Sequence, residues 1–279
     1  MEDLTGKVVI VTGAARGIGS EYALAFAARG CRVVIADVAG TDETAGKVRA
    51  AGAECVAVRA DLGSRADADA MAAAATDAWG RIDVLVNNAA RYAGLYRGPL
   101  EGIPQQEWDD VMAVNVRGVW NATAAVLPAM RSQGSGSIVN ISSGTVLKGT
   151  AGSLHYVASK GAVLAMTRAV AREVGGAGIR VNCVTPGLVS NEASREGREA
   201  EFAERAAQRT RERSLPREMH EADLVGAVLF LASAASGFIT GQNINVDGGT
   251  FFYCGALVRG ALRSRRGTWR SRSSERQSV

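Results

Sequence analysis

Seven short apolar runs punctuate the chain, at residues 7–12, 32–36, 54–59, 83–87, 137–142, 179–185 and 243–246. They are rich in β-branched residues and show little apolar–polar alternation, so each reads as a strand covered on both faces. Between them lie alanine-rich stretches with helical spacing, the longest at about 105–130 and 156–175. Strand and helix in regular alternation predict a parallel sheet with helices on both faces. With 279 residues, 47% of them hydrophobic, the chain can bury that core as a single α/β domain, placed here at residues 1–254.

The first run, Lys7 to Val11, leads directly into Thr12-Gly13-Ala14-Ala15-Arg16-Gly17-Ile18-Gly19 and then a helical stretch, EYALAFAARG. Strand, glycine-rich turn and helix together can hold a pyrophosphate. The glycines let backbone approach the phosphates, and the helix N-terminus offers unpaired N–H groups and the positive end of its dipole. The spacing is G-x-x-x-G-x-G, so a search for G-x-G-x-x-G misses it. The second run ends at Asp37, 18 residues beyond Gly19. A carboxylate there accepts hydrogen bonds from the adenosine ribose hydroxyls. It also repels a 2′-phosphate, since two unit charges about 4 Å apart cost roughly 4 kcal/mol at an effective dielectric near 20. The expected cofactor is therefore NAD, with NADP the less favoured alternative. Arg16 argues the other way, because a guanidinium can hold a phosphate, but Val38 rather than an arginine follows the aspartate. The fold implied is a doubly wound, Rossmann-type sheet of seven parallel strands.

Tyr156 and Lys160 stand four residues apart, and Ser143 precedes the tyrosine by thirteen. On a helix, positions i and i+4 share a face. A lysine cation beside a phenol is expected to pull the phenol below its ordinary value of about 10, which suits proton exchange with an alcohol or carbonyl. Taken alone, Y-x-x-x-K is also an ordinary amphipathic helix start. Its company, the serine and the glycine turn, gives it chemical meaning. Ser142 and Ser143 are adjacent, and neighbours on a strand point to opposite faces, so only one can approach the tyrosine.

Over about Leu4 to Tyr253 the chain resembles the classical short-chain dehydrogenase/reductase family. Thr12 to Gly19 matches the family's cofactor turn, with Gly13, Arg16, Gly17, Ile18 and Gly19 against the dinucleotide. Asp61-Leu62 matches the pair near the adenine, and Asn87-Asn88-Ala89-Ala90 the segment after the fourth strand. Ala90 stands where the family usually has glycine. The resemblance gives Asn115 the support of a proton-relay water. It makes Ser143, Tyr156 and Lys160 the catalytic serine, tyrosine and lysine, and it assigns Pro186-Gly187 to the loop that meets the nicotinamide. Lys160 is also expected on the nicotinamide ribose. Asn191 replaces a common threonine. Family members are usually tetramers or dimers built through the long helices and the last strand, which implies a homotetramer or homodimer.

Two segments are expected to set the substrate: Arg91 to Gly98, and a lid from Leu188 to Arg217 dense in Glu and Arg. Substrate candidates are Tyr92, Tyr96, Thr145, Leu147, His155 and Leu188, which lean towards an apolar, medium-sized alcohol or ketone. Cys31, Cys55, Cys183 and Cys254 lack C-x-x-C spacing and read as reduced thiols of a cytoplasmic protein. Two unrelated histidines argue against a metal site, and no G-x-S-x-G elbow supports hydrolase chemistry. No 18-residue apolar span or signal-peptide start is present. Residues 255–279 hold seven arginines against one glutamate, a net +6 in a chain of net +4. This basic Ser/Arg-rich tail is expected to be disordered, with nucleic acid an unlikely partner. The leading function is an NAD(H)-dependent oxidoreductase interconverting a secondary alcohol and a ketone. The alternatives are a 3-oxoacyl-thioester reductase, a class that usually uses NADPH, and a nucleotide-sensing protein without catalysis.

Overall fold

Residues 4–190 and 199–252 are described by the computed structural model, with nothing said of the side chains of residues 199–201. Asn191, Cys254, the tail 255–279 and part of the expected lid lie outside the described residues. The strands are β1 (Val8–Thr12), β2 (Arg32–Asp37), β3 (Cys55–Arg59), β4 (Val84–Asn87), β5 (Gly136–Ile141), β6 (Ile179–Pro186) and β7 (Asn243–Val246). All pair in parallel, in the order β3-β2-β1-β4-β5-β6-β7. Every apolar run became a strand within a residue or two.

The helices are α1 (Gly17–Ala27), α2 (Asp42–Ala50), α3 (Arg65–Trp79), α4 (Gln105–Met112), α5 (Gly118–Gln133), α6 (Gly144–Lys148), α7 (Leu154–Val174), α8 (Glu199–Glu212) and α9 (Ala222–Ala232). The stretch expected as one helix from about 105 is interrupted by a π turn over Ala113–Arg117, which joins α4 to α5. Strand pleating divides the core into two layers. Val9, Val11, Val33 and Ile35 face α1, α2 and α9 through Phe26, Val48 and Leu224. Their neighbours Val8, Ile10 and Val34 face α3, α5 and α7 through Met71, Val126 and Val174. Burial on both faces is why the runs read as continuously apolar.

A chain of side-chain amides and hydroxyls crosses this core. Asn87 Nδ2 donates to Asn140 Oδ1 at 2.9 Å and to Thr123 Oγ1 at 3.2 Å, and Asn140 Nδ2 donates to Thr167 Oγ1 at 2.9 Å. At the opposite end of the sheet, Asp83 Oδ2 accepts from the Val8 N–H at 2.9 Å and Arg81 Nε at 2.8 Å. Its Oδ1 accepts from Arg81 Nη2 at 2.6 Å and Lys7 Nζ at 3.3 Å. Burial alone raises the Asp83 pKa, but the hydrogen bonds from Arg81 and Val8 and the charge of Lys7 bring it below the ordinary carboxylate range. A depressed folded-state pKa stabilises the protein above the unfolded value of about 3.9 and ceases to do so as pH falls through the folded one. Asp83→Asn is therefore expected to lower the unfolding free energy at pH 7 by about 1–3 kcal/mol in urea melts. The gap to the unsubstituted protein should narrow as the melts are repeated below about pH 4.

Candidate active site

In the sheet order the chain reverses direction between β1 and β4, and the crevice beyond their carboxyl ends is where open α/β sheets take ligands. Side chains fasten its two lips together. Thr12 Oγ1 donates to the Val86 carbonyl at 3.1 Å and accepts from the Asn88 and Ala89 N–H groups at 3.0 and 3.1 Å. Asn88 Nδ2 donates to the carbonyls of Thr12 and Gly13 at 3.0 and 2.9 Å. The Asn88 side chain, singled out as cofactor-binding, thus holds the glycine turn in shape. That turn is tight: a Cβ on Gly13, whose φ is +64°, would lie 2.6 Å from Ala89 Cα. A Cβ on Gly19 would lie 2.1 Å from the Gly13 carbonyl oxygen.

A cavity of about 700 Å³ runs along this crevice. At one end its wall is formed by Gly13, Arg16, Gly17, Ile18 and Gly19, and by Asp37, Asp61 and Leu62. Asp37 Oδ2 accepts from the Ala15 N–H and Oδ1 from the Ala39 N–H, both at 3.0 Å. The carboxylate is thereby fixed at the rim with further lone pairs facing outward. No side chain caps α1, whose N-cap residue is Arg16 in extended backbone, so the positive end of that helix opens onto the turn. At the other end the wall carries Ala89, Ser143, Tyr156, Lys160, Pro186 and Gly187.

Ser143 and Tyr156 share this wall, and the serine is near enough to the phenol to favour its phenolate. Ser143 caps α6, and its Oγ accepts from the Thr145 N–H and Oγ1 at 3.3 and 3.0 Å. Ser142 turns the other way and donates from Oγ to the Lys160 carbonyl at 2.9 Å, a structural role. The expectation that Lys160 lowers the Tyr156 pKa is corrected. Burial drives the phenol above its ordinary value, neighbouring Tyr92 adds to the rise, and Ser143 and Arg97 oppose it. Lys160 Nζ lies 6.0 Å from the Tyr156 ring centroid and donates to the Ile141 carbonyl at 2.8 Å. Burial pushes the Lys160 pKa down to about 8. The fully buried Asn115 stands in the π turn behind the cavity. Its Oδ1 accepts from the Arg91 N–H at 2.7 Å, and its Nδ2 donates to Ser159 Oγ at 3.1 Å. Ser159 in turn donates to the Tyr156 carbonyl at 2.8 Å. The Asn115 side chain thus ties the loop at Arg91 to the helix that carries Tyr156.

Of the substrate candidates, Tyr92, Thr145 and Leu188 line the cavity, whereas Tyr96, Leu147 and His155 do not. Within α6, Thr145 and Lys148 share the cavity face by their i, i+3 spacing, while Val146 turns towards Gly161 of α7. Leu147 is thereby carried off the wall. His155 is fully buried, with Nε2 at 2.9 Å from Glu107 Oε1. Tyr96 packs its ring over Gly98 and Gly102 and donates its N–H to the same carboxylate oxygen at 2.8 Å. In place of the apolar residues expected, Lys148, Arg205 and Arg209 line the wall. The only sequence signals for these were the i, i+3 spacing from Thr145 and the i, i+4 spacing of the two arginines, both meaningful only once the helices are placed.

A family model described as enoyl-(acyl carrier protein) reductase matches residues 13–250. The chain belongs to the classical short-chain dehydrogenase/reductase family. The 3-oxoacyl-(acyl-carrier-protein) reductase of Staphylococcus aureus is 36% identical over 88% of this chain and 98% of its own length. The (2S)-((R)-hydroxy(phenyl)methyl)succinyl-CoA dehydrogenase subunit BbsD of Thauera aromatica is 38% identical over 90% of this chain and 99% of its own. Among solved structures, carveol dehydrogenase from Mycobacterium avium in complex with NAD superposes with a TM-score of 0.81 at 31% identity, covering 88% of this chain and 98% of that one. As a short-chain dehydrogenase/reductase, the protein is an oxidoreductase, and its single-domain, seven-stranded Rossmann-type fold is the one shared with these relatives.

This dehydrogenase/reductase carries one feature at its tyrosine that the sequence motifs leave out. The Tyr92 ring lies 5.1 Å from that of Tyr156, and the Arg97 guanidinium lies 5.4 Å from the Tyr92 centroid. Arg97 Nε is buried without a hydrogen-bond partner among the described residues. Its charge favours the Tyr156 phenolate, as the lysine was expected to do. With the Tyr156 phenolate as the expected base in alcohol oxidation, Arg97→Gln should move the acidic limb of the pH profile of kcat/KM to higher pH. Arg97→Lys should move it less. Superimposable profiles would remove Arg97 from the account.

Proposed function

We propose that the protein is an NAD-dependent oxidoreductase that interconverts a secondary alcohol and a ketone. The observation that carries this reading is that Ser143, Tyr156 and Lys160 share one wall of the cavity that also holds Asp37 at its far rim. The residues present fit a nicotinamide dinucleotide. The glycine turn admits no Cβ at Gly13 or Gly19, the first turn of α1 is uncapped, and Asp37 is fixed where ribose hydroxyls can donate to it. When bound, the nicotinamide accepts or supplies the hydride.

The chain's own part is proton transfer and position. In oxidation the Tyr156 phenolate takes the alcohol proton, and in reduction the phenol returns it to the carbonyl oxygen. Ser143 donates to that same oxygen and keeps it opposite the phenol. Lys160, held to the Ile141 carbonyl and with a pKa of about 8, exchanges protons near neutral pH beside the tyrosine. Asn115 keeps loop and helix in register through Arg91 and Ser159. The described part of the lid supports its expected role, since Leu188 and α8 both contribute to the cavity wall. Assembly as a homotetramer or homodimer through the long helices is part of the same proposal; Trp120 on α5 and Leu154 on α7 are exposed. The three described cysteines are all free thiols, in keeping with a cytoplasmic setting.

A second reading has its own support. The S. aureus and T. aromatica relatives carry acyl-thioester substrates in their names, and a 3-oxoacyl-thioester reductase keeps the same catalytic residues while usually drawing on NADPH. Asp37 weighs against a 2′-phosphate. For the leading reading, kcat/KM measured with NAD and NADP on a panel of secondary alcohols should favour NAD by more than about tenfold. Asp37→Ala should shrink that ratio, whereas turnover with NADP alone would overturn the choice of cofactor. Tyr156→Phe should still bind NADH by fluorescence titration while kcat falls by roughly a hundredfold or more. Retained turnover in that variant would sink the catalytic assignment.

A further inference from the structure

From Arg91 to Gly98 the loop after β4 contains neither helix nor strand, yet it carries the two side chains that reach the tyrosine, Tyr92 and Arg97. Hydrogen bonds tie its backbone down at three places. The Arg91 N–H donates to Asn115 Oδ1 at 2.7 Å, the Tyr96 N–H to Glu107 Oε1 at 2.8 Å, and the Gly98 N–H to the Gly152 carbonyl at 3.2 Å. Leu95 packs with Val111 of α4 and with Tyr156. Arg97 therefore sits between two pinned residues. The tie at Tyr96 has a further partner behind it, since Glu107 Oε1 also lies 2.9 Å from Nε2 of the fully buried His155. Glu107 can only accept, so Nε2 carries the proton. Consecutive helical residues point about 100° apart, and on α7 this turns His155 towards α4 while Tyr156 faces the cavity. The other ring nitrogen, Nδ1, is buried with no hydrogen-bond partner among the described residues. A bare buried acceptor costs free energy, and an apolar side chain of similar shape avoids that cost. What the histidine contributes is a donor for Glu107.

We propose that Glu107 and His155 are positioning residues for Tyr156: through one carboxylate oxygen they clamp the loop at Tyr96 and hold the Arg97–Tyr92 stack against the phenol. The clamp stands on its own geometry, and its effect on turnover rests on the oxidoreductase reading above. A carboxylate suits this task, because hydrogen bonds to a charged acceptor are stronger than neutral ones. Facing Tyr156 are Lys160 from α7, Ser143 from the N-cap of α6, and Tyr92 and Arg97 from the loop. Lys160 is held by the Ile141 carbonyl and Ser143 by α6, whereas the loop pair depends on the clamp. The Arg97 charge acts on the phenolate across a distance that the loop sets, and Coulomb attraction weakens as distance grows. Loosening the clamp thus has the same sign as deleting the guanidinium, and works through it. His155, expected to contact substrate, instead acts through Glu107.

The test uses the full chain. Glu107→Met keeps the length of the side chain and removes the acceptor, whereas Glu107→Gln retains a carbonyl oxygen for both donors. His155→Leu and His155→Gln make the same contrast at the donor. In hydrogen–deuterium exchange on the protein alone, the Tyr96 amide should exchange roughly tenfold faster in Glu107→Met, the scale of one lost hydrogen bond. Glu107→Gln should keep most of the protection. Exchange that is unchanged in Glu107→Met, or equally fast in both variants, would overturn the clamp. The Glu107 side chain is partly exposed, so these variants carry the test even if His155→Leu fails to fold. Turnover is then followed with saturating NAD and the fastest of 2-butanol, cyclohexanol and 1-phenylethanol. Glu107→Met should move the acidic limb of kcat/KM to higher pH, and Glu107→Gln should move it less. In an Arg97→Gln background the shift should vanish. A limb that stays in place while Tyr96 exchanges faster would overturn the positioning role and leave a structural tie. A shift equally large without Arg97 would overturn it too, because the clamp would not be acting through the stack. If none of the three alcohols is oxidised, it is the oxidoreductase reading that fails, and the exchange contrast between Glu107→Met and Glu107→Gln still decides the clamp.

Discussion

The protein depends on the small set of hydrogen bonds that closes the gap between β1 and β4. Parallel strands on either side are joined by ordinary ladder bonds along their length, but beyond their carboxyl ends nothing in the ladder holds the two loops together. Thr12 Oγ1 and the Asn88 amide do so, with five contacts between 2.9 and 3.1 Å. The same contacts fix the backbone of the glycine turn, whose tightness at Gly13 and Gly19 leaves no room for a side chain. Holding the crevice open and shaping its phosphate-facing lip are thus a single task, performed by residues that need never touch a ligand.

Burial governs the chemistry at the other end of the cavity. A phenol and an ammonium withdrawn from water are each driven towards their neutral forms, the Tyr156 pKa upward and the Lys160 pKa down to about 8. Helical spacing places the two side chains on one face, yet the lysine spends its nearest hydrogen bond on the Ile141 carbonyl. Relief of the phenol comes instead from Ser143 and from Arg97 beyond the Tyr92 ring. The serine was recognisable from its spacing. The arginine was not, because it belongs to a loop of no regular period and acts through an intervening ring.

The substrate side shows how a few degrees of helical rotation redirect a functional reading. Thr145, Leu147 and His155 lie close to the catalytic residues in the chain, and that nearness suggested an apolar surface. Once α6 forms, Thr145 and Lys148 turn to the cavity and Val146 packs towards α7. His155 shares the fate of Leu147: it adjoins Tyr156 in sequence but projects to Glu107 inside the protein. The charged segment expected to form a lid supplies two arginines to the wall.

The sequence by itself determined the seven strands, their parallel sheet, the glycine turn, Asp37 and the Ser143–Tyr156–Lys160 set. These features are written in local periodicity and fixed spacing, because a strand covered on both faces must be apolar throughout and an i, i+4 pair must share a helical face. Only the tertiary structure decided the π turn that seats Asn115, the role of Asn88 as a brace, the direction of the Tyr156 pKa and the charged wall opposite Ser143. Each of these depends on how far groups distant in the chain are buried against one another, and burial and electric field belong to the packed molecule rather than to any segment of it.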